Sequence, residues 1–377
     1  MGARYHSLAK SAKAAGMSVS DVRQALSSAP AAFSHELAEA WQVCDSILRQ
    51  IAETHGAASR AQVYRTHIRF ASREQAKAFR KLQKGEIIDW LKQNKFDEQV
   101  ADLYYKVVIA AVVEDFIEFA AKALECAVYG PLTVGIALLR KPLKDNLFAL
   151  EWMLADPEDY FRRFTSAKPE ERELRNLTPA HKTEIIRKAA AATAVGEWFP
   201  AELLYEFRFD KSSPIGLEAL WQKANHLVTT QGVLATESEN LNFVFSTEDD
   251  QAEQWRAVYG TLPIFFFHAL QVYNALLSHF ARSSDADKDL MPLRTIAGMA
   301  LWMRSKGSIL NLQTLSKVFY ETVQRFIRAT VCPVCGHRVS SRIANVRRFF
   351  EEGCVQCFPC HDVIVINEST DCPSPPI

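Results

Sequence analysis

Residues 101–130 read ADLYYKVVIAAVVEDFIEFAAKALECAVYG. Apolar side chains recur there at helical spacing, and Glu114, Asp115, Glu118 and Lys122 fill the intervening face, the pattern of an amphipathic helix. No proline falls between Ala31 and Gly130, so the strongest helix breaker is absent from that interval. The stretch predicts a long helix with room for one break. Beyond the turn at Gly130-Pro131, residues 132–164 (LTVGIALLRKPLKDNLFALEWMLADPEDYFRRF) keep the helical period and stop near Asp156-Pro157; Pro142 should kink or divide them. Helical patterns return at 178–197, 216–230, 250–282 and 292–330, separated by turn-like FDKSSP and TESENLN. Strand-like runs are scarce: HIRF at 67–70, LNFVFS at 241–246 and VIVI at 363–366.

These patterns predict a mainly α protein. An N-terminal helical region (1–100) precedes a multi-helix bundle (101–330), followed by a small module (331–367) and a loose tail (368–377). The chain has 377 residues, 48% hydrophobic and 23% charged, which suits a soluble globular protein with sizeable cores. Formal net charge is zero, so any case for a nucleic-acid partner must be local. The N-terminal residues show no apolar leader, and a cytoplasmic location is expected. The uncharged run Leu262–Phe280 is long enough to cross a bilayer, yet it carries His268, Gln271, Asn274, Ser278 and His279. It reads as a buried helix, with no membrane partner. His268 and His279, eleven apart, should share a face and line the bundle, and Trp152 and Trp302 read as packing residues.

The thiols are unevenly spread. Five of the eight cysteines, Cys332, Cys335, Cys354, Cys357 and Cys360, fall within 29 residues, together with His337 and His361. In Cys332-Pro-x-Cys335-Gly336 the two-residue spacing lets both sulfurs face one point, and glycine tolerates the positive φ of the turn that follows. Cys354 and Cys357 supply a second pair, giving the CxxC and CxxC arrangement of a tetrahedral zinc site. Cys357 and Cys360 would serve as well, and His337 or His361 could replace a sulfur. Cys332, Cys335, Cys354 and Cys357 are the preferred set. The run Cys357-x-x-Cys360-His361 also fits covalent haem attachment, but that needs export, and a redox CxxC needs a thioredoxin-like setting that the flanks lack. Zn2+ is therefore the expected cofactor, folding a small module without an open coordination position.

Residues 331–367 resemble zinc ribbons and zinc knuckles, which are often appended to nucleic-acid-handling proteins. Arg342, Arg347 and Arg348 between the two pairs would then face phosphate. A second basic feature spans 60–84, RAQVYRTHIRFASREQAKAFRKLQK, with eight basic residues against Glu74. Arg65, Arg69, Arg73, Lys77, Arg80 and Lys84 recur every three or four positions and form one stripe if the segment is a single helix. If instead HIRF is a strand and Ser72 caps a helix at Arg73, with Gln75 in the capping-box position, the stripe splits.

No P-loop, GxGxxG, HExxH or GxSxG occurs, which excludes the chemistries those motifs serve. The stretch IALLRKPLKDNLFALEWMLADPEDY, followed by LWQKANHL, resembles bacterial HEPN-like and abortive-infection helical domains. That resemblance maps onto Arg140, Asn225 and His226, and implies arginine for phosphate and histidine for proton transfer. The HEPN arginine-to-histidine spacing is matched at Arg49/His55, Arg60/His67 and Arg175/His181, of which Arg60 and His67 lie in the basic segment, whereas Arg140 has no histidine at that distance. The leading expectation is a zinc-containing helical protein that binds nucleic acid or an acidic protein partner, by resemblance in antiphage defence or stress. The alternatives are a metal-independent HEPN-like ribonuclease, its arginine and histidine meeting within the chain or across a homo-oligomer interface, and a scaffold with a purely stabilising zinc.

Overall fold

The computed structural model describes residues 35–366, apart from 130–131, 214–215, 231–234, 245, 282–284 and 306–309. The expected tail at 368–377 and the first 34 residues lie outside the described residues. Helix α1 (His35–Arg60) is followed by the short helices α2 (Arg73–Arg80) and α3 (Ile87–Gln93). The 101–130 pattern then folds as the unbroken α4 (Asp97–Tyr129). Its Ile109, Val113, Phe116, Ala120 and Leu124 are buried, while Glu114 and Glu118 are exposed, so the period in the sequence is the period of burial.

Helices α5 (Leu132–Arg140) and α6 (Leu147–Ala155) are joined by the π-helical segment Lys141–Asn146. Proline has no N–H to give and its ring crowds the preceding turn; here the helix widens around Pro142 and continues instead of ending. Asp156 accepts a hydrogen bond from the Asp159 N–H and so starts α7 (Pro157–Phe164). Thr178 does the same for α8 (Pro179–Ala191), which is followed by α9 (Ala201–Phe209) and α10 (Leu217–Asn225). A Thr247/Asp250 capping box opens α11 (Glu248–Ser278). The pattern at 292–330 divides into α12 (Asp285–Ser305) and α13 (Leu310–Ala329). Last come α14 (Ile343–Glu352) and a two-stranded antiparallel ribbon, β1 (Cys354–Gln356) with β2 (Val363–Val365), in which Cys354 faces Val365.

The membrane-length run lies in α11, at the centre of the bundle. Leu262, Phe265, Phe266 and Phe267 are wholly buried, and α11 packs along α1 and α6. Within this core Glu151 takes a two-pronged ion pair from Arg208 (2.7 and 2.9 Å) and a bond from His268 Nε2 (2.7 Å), all three residues being 0% exposed. Arg208 also donates to the Leu143 carbonyl in the π segment and to the Leu204 carbonyl. His268 is thus a core histidine, but His279 caps the end of α11 and is exposed, because the helix stops there. Trp152 and Trp302 are buried packing residues.

Two strand expectations fail. Among the described residues HIRF has no pairing strand, and residues 242–244 form a turn. The 331–366 module packs onto the helical body. Val346, Phe349, Phe350, Val355 and Ile364 belong to the same buried cluster as Leu37, Ile47 and Phe267. Helix α14 packs on α1, α12 and α13, with the Phe350 ring against Gly298; a Cβ there would meet the ring at 2.4 Å.

Candidate metal centre

Two turns of the same construction face each other. In the first, Val331 bridges to Arg338, the Cys332 N–H donates to the His337 carbonyl (2.9 Å), and the Gly336 N–H donates to the Cys332 carbonyl (2.9 Å). In the second, the Cys357 N–H donates to the Asp362 carbonyl (2.9 Å) and the His361 N–H to the Cys357 carbonyl (2.7 Å). The residue after the second cysteine has positive φ in both turns: Gly336 at 71° and His361 at 62°. That backbone costs glycine nothing and a histidine on the order of 1 kcal/mol, which the surrounding turn must offset.

The turns bring Cys332, Cys335, Cys357 and Cys360 together, with all four Sγ atoms within 4.8 Å of one another. Cys332 Sγ lies 3.6 Å from Cys360 Sγ, and Cys335 Sγ lies 3.4 Å from Cys357 Sγ. Sulfurs about 2.3 Å from a tetrahedral zinc are roughly 3.8 Å apart, so the cage has the size such an ion requires. The first sulfur of each turn belongs to a buried residue and the second to a half-exposed one. The His337 N–H is aimed at Cys335, whose thiol is drawn down to about 6; the Asp362 N–H lies at Cys360 in the matching place, but burial and the neighbouring thiols raise Cys360 and Cys357 all the same. Such N–H donors favour the thiolate, the form that binds metal. Four cysteines able to hold a metal ion are therefore in position.

The pair that faces Cys332 and Cys335 is the alternate one, Cys357 and Cys360, and not Cys354 with Cys357. Cys354 follows the left-handed cap Gly353 and enters β1, where pairing with Val365 holds it away from the turns. Its Sγ lies 3.3 Å from Glu352 Oε2, and burial together with that carboxylate pushes its thiol up to about 11. A discriminating signal was present in the sequence: Cys360 is followed by a histidine, which tolerates positive φ, whereas Cys357 as the second member of a pair is followed by bulky Phe358. Neither His337 nor His361 joins the sulfurs.

Asn345, 1% exposed, ties the halves together and is not singled out by any sequence motif. Its side-chain amide donates to the carbonyls of Ser340 (2.7 Å) and Gln356 (2.9 Å), and its oxygen accepts from the Gln356 N–H (2.8 Å). One residue thereby fixes the chain leaving the first turn to the strand entering the second.

The expected phosphate contacts in the module divide. Arg342 is exposed and sits 4.9 Å over the Phe358 ring. Arg347 is half-buried and pairs with α1 as α14 docks there, with both Glu39 oxygens at 2.8 Å and Gln42 at 3.1 Å, so its charge is already answered within the fold. Arg348 is half-buried.

The 60–84 stripe splits. Ser72 accepts from the Gln75 N–H and starts α2, while the Gln75 side chain reaches the Ala71 N–H, one residue short of a capping box. Arg65 and Arg69 lie on irregular chain, Arg73, Lys77 and Arg80 on α2, and Lys84 beyond it; all are exposed. Phe70, Phe79, Trp90 and Phe96 pack together beneath them, with centroid separations of 5.2–6.3 Å.

Among the described residues no hydrogen bond or ion pair joins Arg60 to His67 or Arg140 to His226. Arg60 and His67 are both exposed. Arg140 faces Asp145, and His226 follows the end of α10 with its carbonyl taken by Asn242. An arginine and a histidine do converge on Glu151, but that site is closed to solvent. Compared with known proteins, the chain matches no family model, no curated protein and no solved structure, so the HEPN-like resemblance of the body gains no support from relatives.

Proposed function

We propose that this is a zinc-stabilised helical protein that binds nucleic acid through the lobe spanning residues 61–96. The carrying observation is the electrostatic state of that lobe. Arg65, Arg69, Arg73, Lys77, Arg80, Lys81 and Lys84 are exposed, and none forms an ion pair among the described residues. The neighbouring acids serve the backbone instead: Glu86 accepts from the Gln83 N–H, and Glu74 is held below its usual range by its own backbone N–H and by Ser72. The lobe is anchored to α4 where Thr66 bonds Asp102 (2.6 Å) and Lys106 bonds the Arg65 carbonyl (3.2 Å). A row of uncompensated cations on a self-packed aromatic base suits a chain of phosphates, whose counterions are released on binding.

Zinc is the ion that four thiolates in this arrangement favour. With all four positions filled by protein it has no vacancy for substrate, so its contribution is to folding. Combined replacement of Arg69, Arg73 and Lys77 with glutamate should abolish salt-sensitive binding of duplex DNA. For each phosphate that the protein no longer neutralises, the slope of log K against log salt should shallow by about 0.9 on duplex DNA. Unchanged affinity and slope would leave the lobe an ordinary solvated surface.

A further inference from the structure

The module presents a second cationic surface, on the outside of the metal centre. Arg325 and Arg328 are exposed in the last turns of α13, Arg338 follows the first turn, and Arg342 precedes α14. Ser341 draws them together: its carbonyl accepts from Gln324 (3.1 Å) and its hydroxyl from Arg328 (2.8 Å). The bridge between Val331 and Arg338 brings in the remaining arginine. None of these four arginines forms an ion pair among the described residues, although Asp362 lies on the facing turn. The Arg342 guanidinium stands 4.9 Å from the centroid of Phe358, a half-exposed ring on the second turn. The backbone on either side of that contact is placed by the fold: Asn345 bonds the Ser340 and Gln356 carbonyls, and Phe358 lies between Cys357 and Cys360 of the sulfur cluster.

We infer that Arg338, Arg342 and Phe358 form a contact surface for single-stranded nucleic acid. A base stacks on the Arg342–Phe358 pair while neighbouring phosphates meet Arg338 and Arg328. An aromatic ring beside a guanidinium offers a flat π and cation–π surface to an unpaired base; a duplex keeps its base faces stacked inside and offers only phosphates. Because the ring and the guanidinium already lie together before the ligand arrives, less ordering entropy is spent on binding. The choice of ligand rests on the nucleic-acid reading given above, but the surface does not depend on the lobe.

The test uses the full chain, metal-loaded, titrated against a fluorescent single-stranded polyuridine oligonucleotide and a duplex of equal length. Phe358→Leu, which keeps an apolar side chain but removes the ring, should weaken single-strand binding roughly ten-fold and leave duplex binding unchanged. Because Phe358 lies between two metal ligands, zinc content is measured on the same sample. Arg342→Ala, outside both turns, should reproduce the single-strand loss with the metal intact. Unchanged single-strand affinity in Arg342→Ala, or an equal loss on duplex, would overturn the inference. Single-strand binding abolished together with duplex binding by the lobe reversal alone would overturn it while leaving the proposed function standing. Failure of the unmodified protein to bind either oligonucleotide would remove both.

Discussion

Arg208 is enclosed completely, so its charge is tolerated only because Glu151 answers it with both oxygens and Phe209 and Phe265 flank the guanidinium. Replacing Arg208 with methionine strands a buried carboxylate and should cost about 3–5 kcal/mol in urea unfolding. The same group gives a pH dependence. Burial by itself would raise the Glu151 carboxyl, but Arg208 and His268 outweigh it and hold the group below its usual range. A carboxylate lowered by folding contributes stability that is fully present above its unfolded pKa of about 4.3 and is lost as pH falls through the folded value. Glu151→Gln should therefore be less stable at neutral pH yet lose less of its stability between neutral and acid, as read from urea midpoints across pH. At the metal centre, Asn345→Ala leaves three backbone groups without partners. It should destabilise the protein by on the order of 3 kcal/mol and let a chelator strip the metal faster.

At the scale of elements, α14 connects chemistry to core. Arg294 donates to the Phe350 and Glu351 carbonyls near the end of α14, where unpaired carbonyls and the helix dipole favour a cation, and Gln50 donates to the Phe350 carbonyl. Gly298 admits the Phe350 ring, so Gly298→Ala should overpack the contact by about 1–3 kcal/mol and lower the melting temperature. The helices themselves were largely legible. Apolar spacing gives the buried faces of α4 and α11, whereas Thr178, Thr247 and Asp156 fix helix starts that the spacing alone leaves loose, Asp156-Pro157 having read only as a stop. Pro142 showed where the helix between 132 and 155 is disturbed, but not that a π turn absorbs the disturbance while the Leu143 carbonyl turns to Arg208. Pairing across sequence separations of tens to hundreds of residues, as between Arg347 and Glu39, leaves no local pattern. For that reason the ion pair that occupies Arg347 could not be read from the sequence.

In the whole molecule, one buried cluster runs from Leu37 to Ile366, and the last part of it hangs on the sulfur cage. Cys332 and Cys357 contribute to that cluster directly, and Asn345 and α14 carry the restraint to α1 and α12. Removing the metal should therefore lower the unfolding midpoint of the whole chain and raise hydrogen exchange in α1 and α12, not only in 331–366. Which sulfurs form the cage was half legible: the first pair came from Cys-Pro-x-Cys-Gly, while the second depended on which turn could close. The most direct measurement is zinc per chain by native mass spectrometry for the unmodified protein, Cys354→Ser and Cys360→Ser, alongside their thermal unfolding. Cys332, Cys335, Cys357 and Cys360 as ligands predict about one zinc in the first two and its loss, with a lowered midpoint, in Cys360→Ser. Zinc lost from Cys354→Ser but retained in Cys360→Ser, or a zinc-free protein of undiminished stability, would contradict the account.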